Sequence, residues 1–377
     1  MTAQRRHIPL ATAALSAGLL LVGGILSAIA QQAEDRPDRA RPSLREVLRQ
    51  YPDADKNGDG RLDADERKAL RRRLQGGGGE KPKAVSPKGV PATHANVKYG
   101  PHERNLLDIW LAKSDKPAPL VIFIHGGGFV AGDKSKAYGS KSVDAFLEAG
   151  VSFATISYRY RNTDPRGVRA SLGDSKRALQ FIRSQALEWN LDKLRIGAYG
   201  GSAGAGTSLW LGVHDDMAEP DSPDPVLRES TRLAVVGAQG TQATYDVMRW
   251  PELLKFEVAP TQLVEVLGFF GVETQDDLDS EEGKAIRADL DMLALMSEDD
   301  PPLYVRNGME GGTPPKDRGH RNHHPLHATA LKERAEEVGV EALVYAPAIG
   351  VEPPPDKQES LVEFFLRHLG VATSQQP

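Results

Sequence analysis

From residue 93 to 372 the chain alternates between short apolar runs and longer stretches of helical period. The apolar runs are PLVIFIHG, VSFATISY, LRIGAYGG, LAVVGAQG, LYVRNG and ALVYAP. Continuous apolar strands joined by helices bury both of their faces, so the pattern predicts an α/β fold: a mostly parallel sheet with helices on both sides. Two helices are readable from their spacing. SKRALQFIRSQALEWN sets Leu179, Ile182, Ala186 and Leu187 along one side, and QESLVEFFLRHLG does the same for Leu361, Phe364, Phe365 and Leu369. Residues 240–297 read as a helical insertion, a lid or side cover. No internal repeat is present.

Upstream of residue 93 the texture changes. Arg5 and Arg6 precede an uncharged run from Ile8 to Ala30 that ends in Ala28-Ile29-Ala30. This is the layout of an export signal at residues 1–30, and the run is also long enough to serve as an uncleaved membrane anchor through residues 8–30. The expected location is periplasmic or extracellular, and membrane-anchored if the signal is retained. A polar tether follows at 31–42, then a small helical unit at 43–74. A Gly/Pro-rich linker at 75–92 separates that unit from the main domain.

Within the helical unit, DKNGDGRLDADE matches the EF-hand calcium loop. Asp55, Asn57 and Asp59 supply oxygens, Gly60 makes the turn, and Arg61 offers its carbonyl. Asp63 ligates directly or through water, and Glu66 closes the site with two oxygens. Apolar residues Leu44, Val47, Leu48 and Tyr51 before the loop, and Leu70 and Leu74 after it, fit a helix–loop–helix holding Ca²⁺.

Composition narrows the chemistry further. The chain of 377 residues has no cysteine, which excludes disulfides, thiolate metal sites and a cysteine nucleophile. A net charge of −5 without a basic, aromatic-interleaved tract argues against nucleic acid as a partner.

Candidate chemistry centres on Gly200-Gly201-Ser202-Ala203-Gly204, a G-x-S-x-G segment between a strand-like run and a helix start. Such a segment holds a serine on a strained strand-to-helix turn. Upstream, His125-Gly126-Gly127-Gly128-Phe129 follows the strand LVIFI. With HGGGF, SYRY and YGGSAG in this order, residues 96–370 resemble the α/β-hydrolase fold. The similarity is to its esterase/lipase branch, akin to hormone-sensitive lipase and to microbial acetyl- and feruloyl-esterase-like enzymes. The resemblance implies an oxyanion hole of backbone N–H groups from Gly126, Gly127 and Ala203, with Ser202 as nucleophile.

A serine needs a base, normally a histidine held by a carboxylate. The resemblance places that histidine between the last strand and the last helix, yet YAPAIGVEPPPDKQESLVEFF contains none. The family's aspartate position, after PLYVRNG, falls on Arg321. Four histidines (His320, His323, His324, His327) crowd the same region. They read as a relocated base, as a metal site, or as an ordinary polar helix start. The expected base is His320 or His323 aided by Asp317, with His324 as a further candidate and Glu310 or Asp246 as alternative acids. The sequence therefore reads as an exported, calcium-binding serine carboxylesterase-like hydrolase. Its expected substrates are short acyl esters, small or borne on a polysaccharide. The competing readings are an inactive binding or scaffold protein on the same fold, and a peptidase.

Overall fold

Ala118–Ile124 (APLVIFI) is apolar throughout and buried at six of its seven positions, the pattern of a central strand covered on both faces. The computed structural model describes residues 89–257 and 263–372, together with Asp55. The expected export signal or anchor, the tether, the remainder of the calcium loop and most of the linker lie outside the described residues.

Eight strands form one sheet: β1 (His94–Lys98), β2 (Leu106–Trp110), β3 (Ala118–Ile124), β4 (Ser152–Ile156), β5 (Leu191–Gly201), β6 (Val235–Gln239), β7 (Leu303–Arg306) and β8 (Ala342–Tyr345). Their order is β1-β2-β4-β3-β5-β6-β7-β8. β2 runs antiparallel to β1 and β4, whereas every pair from β4 through β3 to β8 is parallel. The six apolar runs read from the sequence are β3 to β8.

Side chains alternate along β3. Leu120, Ile122 and Ile124 join a core on one face, and Val121 joins a second core on the other. Helices α1 (Lys141–Glu148) and, at the end of the chain, Leu361–His368 cover the second face through Phe146, Phe364 and Phe365. Helices α2 (Val168–Ser184) and α3 (Ala203–Val213) cover the first. All eleven residues of α3 are buried.

One expected face is corrected. Leu179, Ile182 and Ala186 are buried, but Leu187 is 97% exposed. Helix α2 stops at Ser184, and the following turn rotates the chain so that Trp189 packs edge-on against Phe181 in its place. Between β6 and β7 lie the short helices α4 (Trp250–Leu254), α5 (Leu263–Phe270), α6 (Gln275–Asp279), α7 (Glu281–Leu290) and α8 (Met292–Leu295). After β7 come α9 (Arg318–Asn322) and α10 (Leu326–Val338). The C-terminal ends of β3, β5 and β6 converge on one rim, where open α/β sheets bind ligands.

Candidate active site

Ser202 stands where β5 turns into α3, with φ +54° and ψ −121°. A serine tolerates this left-handed conformation only when its surroundings impose it. Two backbone bonds do so: Ser202 N–H donates to the Gln239 carbonyl at 2.9 Å, and Gly206 N–H donates to the Ser202 carbonyl at 3.1 Å. The turn also needs space. A Cβ on Gly204 would lie 1.9 Å from the Ile124 oxygen, so α3 reaches β3 only because that position is bare.

The same closeness brings the glycine loop to the serine. A Cβ on Gly126 would lie 2.4 Å from the Gly201 oxygen and 3.2 Å from Ser202 Cβ. Gly127 has φ +129°, a conformation side chains avoid. Ala203 opens α3, so its N–H has no partner within the helix and its end carries the positive side of the helix dipole. Gly126 and Gly127 border the open space beside Ser202, and Ala203 follows it directly in the chain. Beneath the loop, the His125 ring stacks on Tyr158 at 4.2 Å between centroids, and the Tyr158 hydroxyl donates to the His125 carbonyl at 2.7 Å. Burial, reinforced by Arg104 and Lys136, lowers the His125 pKa to about 4, so the ring is neutral at ordinary pH.

The imidazole that meets Ser202 is that of His323, with Nε2 3.3 Å from Oγ. Its other nitrogen, Nδ1, lies 2.8 Å from the Gly240 carbonyl at the end of β6. A carbonyl can only accept, so the proton sits on Nδ1 and Nε2 presents its lone pair to the hydroxyl. That is the tautomer a general base requires. A peptide carbonyl thus occupies the place usually taken by a carboxylate.

The other expected residues are engaged elsewhere, which corrects the pairing of His320 with Asp317. The Asp317 carboxylate caps α9, accepting from the His320 backbone N–H at 2.8 Å. Both nitrogens of the buried His320 ring are occupied: Nε2 donates to the Glu310 carbonyl at 2.9 Å, and Nδ1 accepts from Lys316 N–H at 3.0 Å. His323, at the C-cap of α9, has left helical geometry (φ −126°) and turns towards Gly240. His324 bonds the Gly312 carbonyl at 2.9 Å. His327 lies between Arg321 carbonyl (3.1 Å) and Ala243 N–H (3.2 Å), and burial lowers its pKa to about 3. Glu310 pairs with Lys316, and Asp246 pairs with Arg287 while accepting from Met248 N–H. The histidines diverge onto separate backbone partners, and among the described residues no cluster suited to a metal ion occurs.

One organising residue escaped the sequence reading. Buried Asn307, just beyond β7, accepts from Thr241 N–H at 2.9 Å and donates to the carbonyls of Thr241 (3.3 Å) and His324 (3.2 Å). It joins the Gly240–Thr241 turn to the His323–His324 turn. The only signal for it was an asparagine directly after an apolar run.

Two spaces open from Ser202. One is a partly enclosed cavity of about 110 Å³, walled largely by Phe129, Tyr245, Met248, Trp250, Phe256 and Phe269. The other is a more open cleft of about 580 Å³, bordered by Gly126, Gly127, Lys136, Gly240 and His323.

Residues 107–268 match the BD-FAE family model. A protein named "Probable isoprenylcysteine alpha-carbonyl methylesterase ICMEL1" from Arabidopsis thaliana is 30% identical over 152 residues, 40% of this chain and 31% of its own length. Esterase LipQ of Mycobacterium tuberculosis is 32% identical over 165 residues, 41% of this chain and 36% of its own. The chain thus spans about a third of the length of these curated relatives. A solved structure described as a truncated form of a carbohydrate esterase from gut microbiota superposes with a TM-score of 0.52 at 20% identity. That match covers 74% of this chain and 96% of the other, a shared fold.

Proposed function

We propose that this chain is an α/β-hydrolase serine ester hydrolase acting on short acyl esters of a bulkier alcohol, acylated carbohydrate among them. Ser202 is the nucleophile and His323 the base. The observation that carries this reading is the His323 imidazole, bonded to Gly240 on one side and 3.3 Å from Ser202 Oγ on the other.

In the first step His323 Nε2 takes the Ser202 proton as Oγ attacks the ester carbonyl. The developing oxyanion is met by the N–H groups of Gly126, Gly127 and Ala203, where losing one donor typically costs about 3–4 kcal/mol. The protonated His323 then gives its proton to the leaving alcohol oxygen, so the alcohol departs on the His323 side. His323 borders the open cleft and not the enclosed cavity. The alcohol accordingly lies in the cleft and the acyl group in the apolar cavity. Water repeats the sequence on the acyl-enzyme.

A fluorophosphonate probe and p-nitrophenyl acetate turnover test this. Ser202→Ala and His323→Ala should abolish labelling and lower kcat by roughly 10⁴-fold or more, while His320→Gln keeps labelling. Undiminished labelling of His323→Ala would remove the base. An unlabelled wild-type protein would leave a binding protein on a hydrolase fold.

For the N-terminal region, we propose export through residues 1–30 and calcium binding by Asp55, Asn57, Asp59, Arg61, Asp63 and Glu66. The filled ligand pattern supports the second. Calcium titration of the full chain should give a heat that Glu66→Ala loses; equal heats would end it.

A further inference from the structure

The acyl cavity has one feature that an ordinary short-chain esterase does not need. Among its aromatic walls it includes Arg321 and Arg318 from α9, Arg161 from the segment after β4, and Glu265 from α5; Arg161 donates to the Gly128 carbonyl and lies over the Phe269 ring. Arg318 and Glu265 form a close ion pair, which ties α9 to α5. Arg321 is different. Among the described residues its nearest carboxylate oxygen is Glu265 Oε2 at 3.9 Å, beyond hydrogen-bond reach, and its guanidinium lies 5.9 Å from the centre of the Phe256 ring. Its side chain is only 14% exposed.

Among the described residues of this wall three guanidiniums face one carboxylate, Glu265, which Arg318 holds at closest range. Arg321 therefore brings a cation with five N–H donors into a mostly apolar space. Burial pulls its pKa below the ordinary arginine value, with Glu265 opposing, yet an arginine stays charged at neutral pH. A desolvated cation is costly until an anion joins it, and a guanidinium fits a carboxylate in a two-pronged pair. A purely structural role, anchoring α9, is already filled by Arg318 at closer range.

We propose that the acyl cavity accepts acyl groups ending in a carboxylate, hemiesters of short dicarboxylic acids such as succinate, with Arg321 as the partner of the distal carboxylate. This rests on the esterase reading for its placement of the acyl group. The chemistry is unchanged: the Ser202–acyl bond forms as the alcohol leaves, and water later releases the diacid.

The test compares monoethyl succinate with its neutral isostere, ethyl 4-methylpentanoate, in a pH-stat. In the wild-type protein kcat/KM should favour the hemiester by about tenfold or more, the usual gain from a charge-assisted pair. Arg321→Met should erase that ratio and Arg321→Lys should keep part of it. A wild-type protein that handles the two esters equally, or an Arg321→Met ratio equal to wild type, overturns the proposal. Calorimetry on Ser202→Ala separates recognition from chemistry, because it reads binding of the hemiester without turnover. Binding there that disappears in Ser202→Ala/Arg321→Met supports the carboxylate pocket even if neither ester is hydrolysed, an outcome that would sink only the esterase reading. No difference between the two proteins overturns the pocket itself.

Discussion

At the residue scale, the unusual element is a backbone carbonyl orienting His323. Gly240 fixes the tautomer as a carboxylate would, but a carbonyl dipole stabilises the imidazolium less than a full charge does. Position then has to come from elsewhere, and Asn307 supplies it by bonding both turns that carry Gly240 and His323. Asn307→Ala should lower kcat by roughly 10–100-fold with little change in KM, since displacement of a catalytic group by about 1 Å costs this much. An equal fall in folded fraction and in kcat, at constant activity per folded molecule, would mean that Asn307 acts on stability alone. The serine and its glycine loop were legible because their backbone demands leave a sequence trace. The choice among His320, His323 and His324 was not, since it depends on which ring nitrogens find backbone partners across 83 residues, as His323 does with Gly240. Arg321 was visible only as an occupant of an expected aspartate position; its place in the cavity wall comes from tertiary structure.

At the scale of elements, α3 is held by close backbone contact and α2 by ordinary side-chain packing, and matched glycine substitutions distinguish the two. Gly204→Ala drives a Cβ to 1.9 Å from the Ile124 oxygen, which cannot yield without moving β3 or Ser202. It should destabilise by about 3 kcal/mol, at the upper end of overpacking costs, and depress turnover as well. Gly173 lies inside α2 with nothing within 4 Å of its added Cβ. Gly173→Ala should stabilise by roughly 0.5–1 kcal/mol, the helix-propensity difference. Urea midpoints check both, and a destabilised Gly173→Ala would undo the argument for α2. The central strands were readable because burial on both faces leaves unbroken apolar runs. The edge strand β1 (HANVK) lacks such a run, and in its neighbour β2 (LLDIW) Asp108 interrupts it. Leu187 was misplaced for a related reason: helical period continued past Ser184 on paper, but the turn after the helix decides which side chain returns to the core.

For the whole molecule, buried neutral histidines set the response to acid. His125 and His327 titrate near 4 and near 3 in the fold, both lowered chiefly by burial, against an ordinary value of 6.5. Burial lowers His324 and His368 as well. Between pH 6.5 and about 4.5 the unfolded chain takes up protons that the folded His125 and His327 rings refuse. The unfolded state thus binds more protons, and stability falls as pH falls, by about 1.4 kcal/mol per pH unit for each fully neutral ring. Asp300, raised by burial, acts in the opposite sense. Carboxylates held down in the fold, such as Asp133 and Asp216, add to acid sensitivity as pH falls through the ordinary carboxylate range. Unfolding free energy measured in urea should therefore begin to decline as pH falls through the ordinary histidine value of 6.5. His327→Gln, whose amide can still accept from Ala243 and donate to the Arg321 carbonyl, should make the decline shallower by about one such increment. Equal slopes in the two proteins would show that His327 is protonated in the fold, and with it that the wall behind Arg321 admits charge more readily than its burial implies.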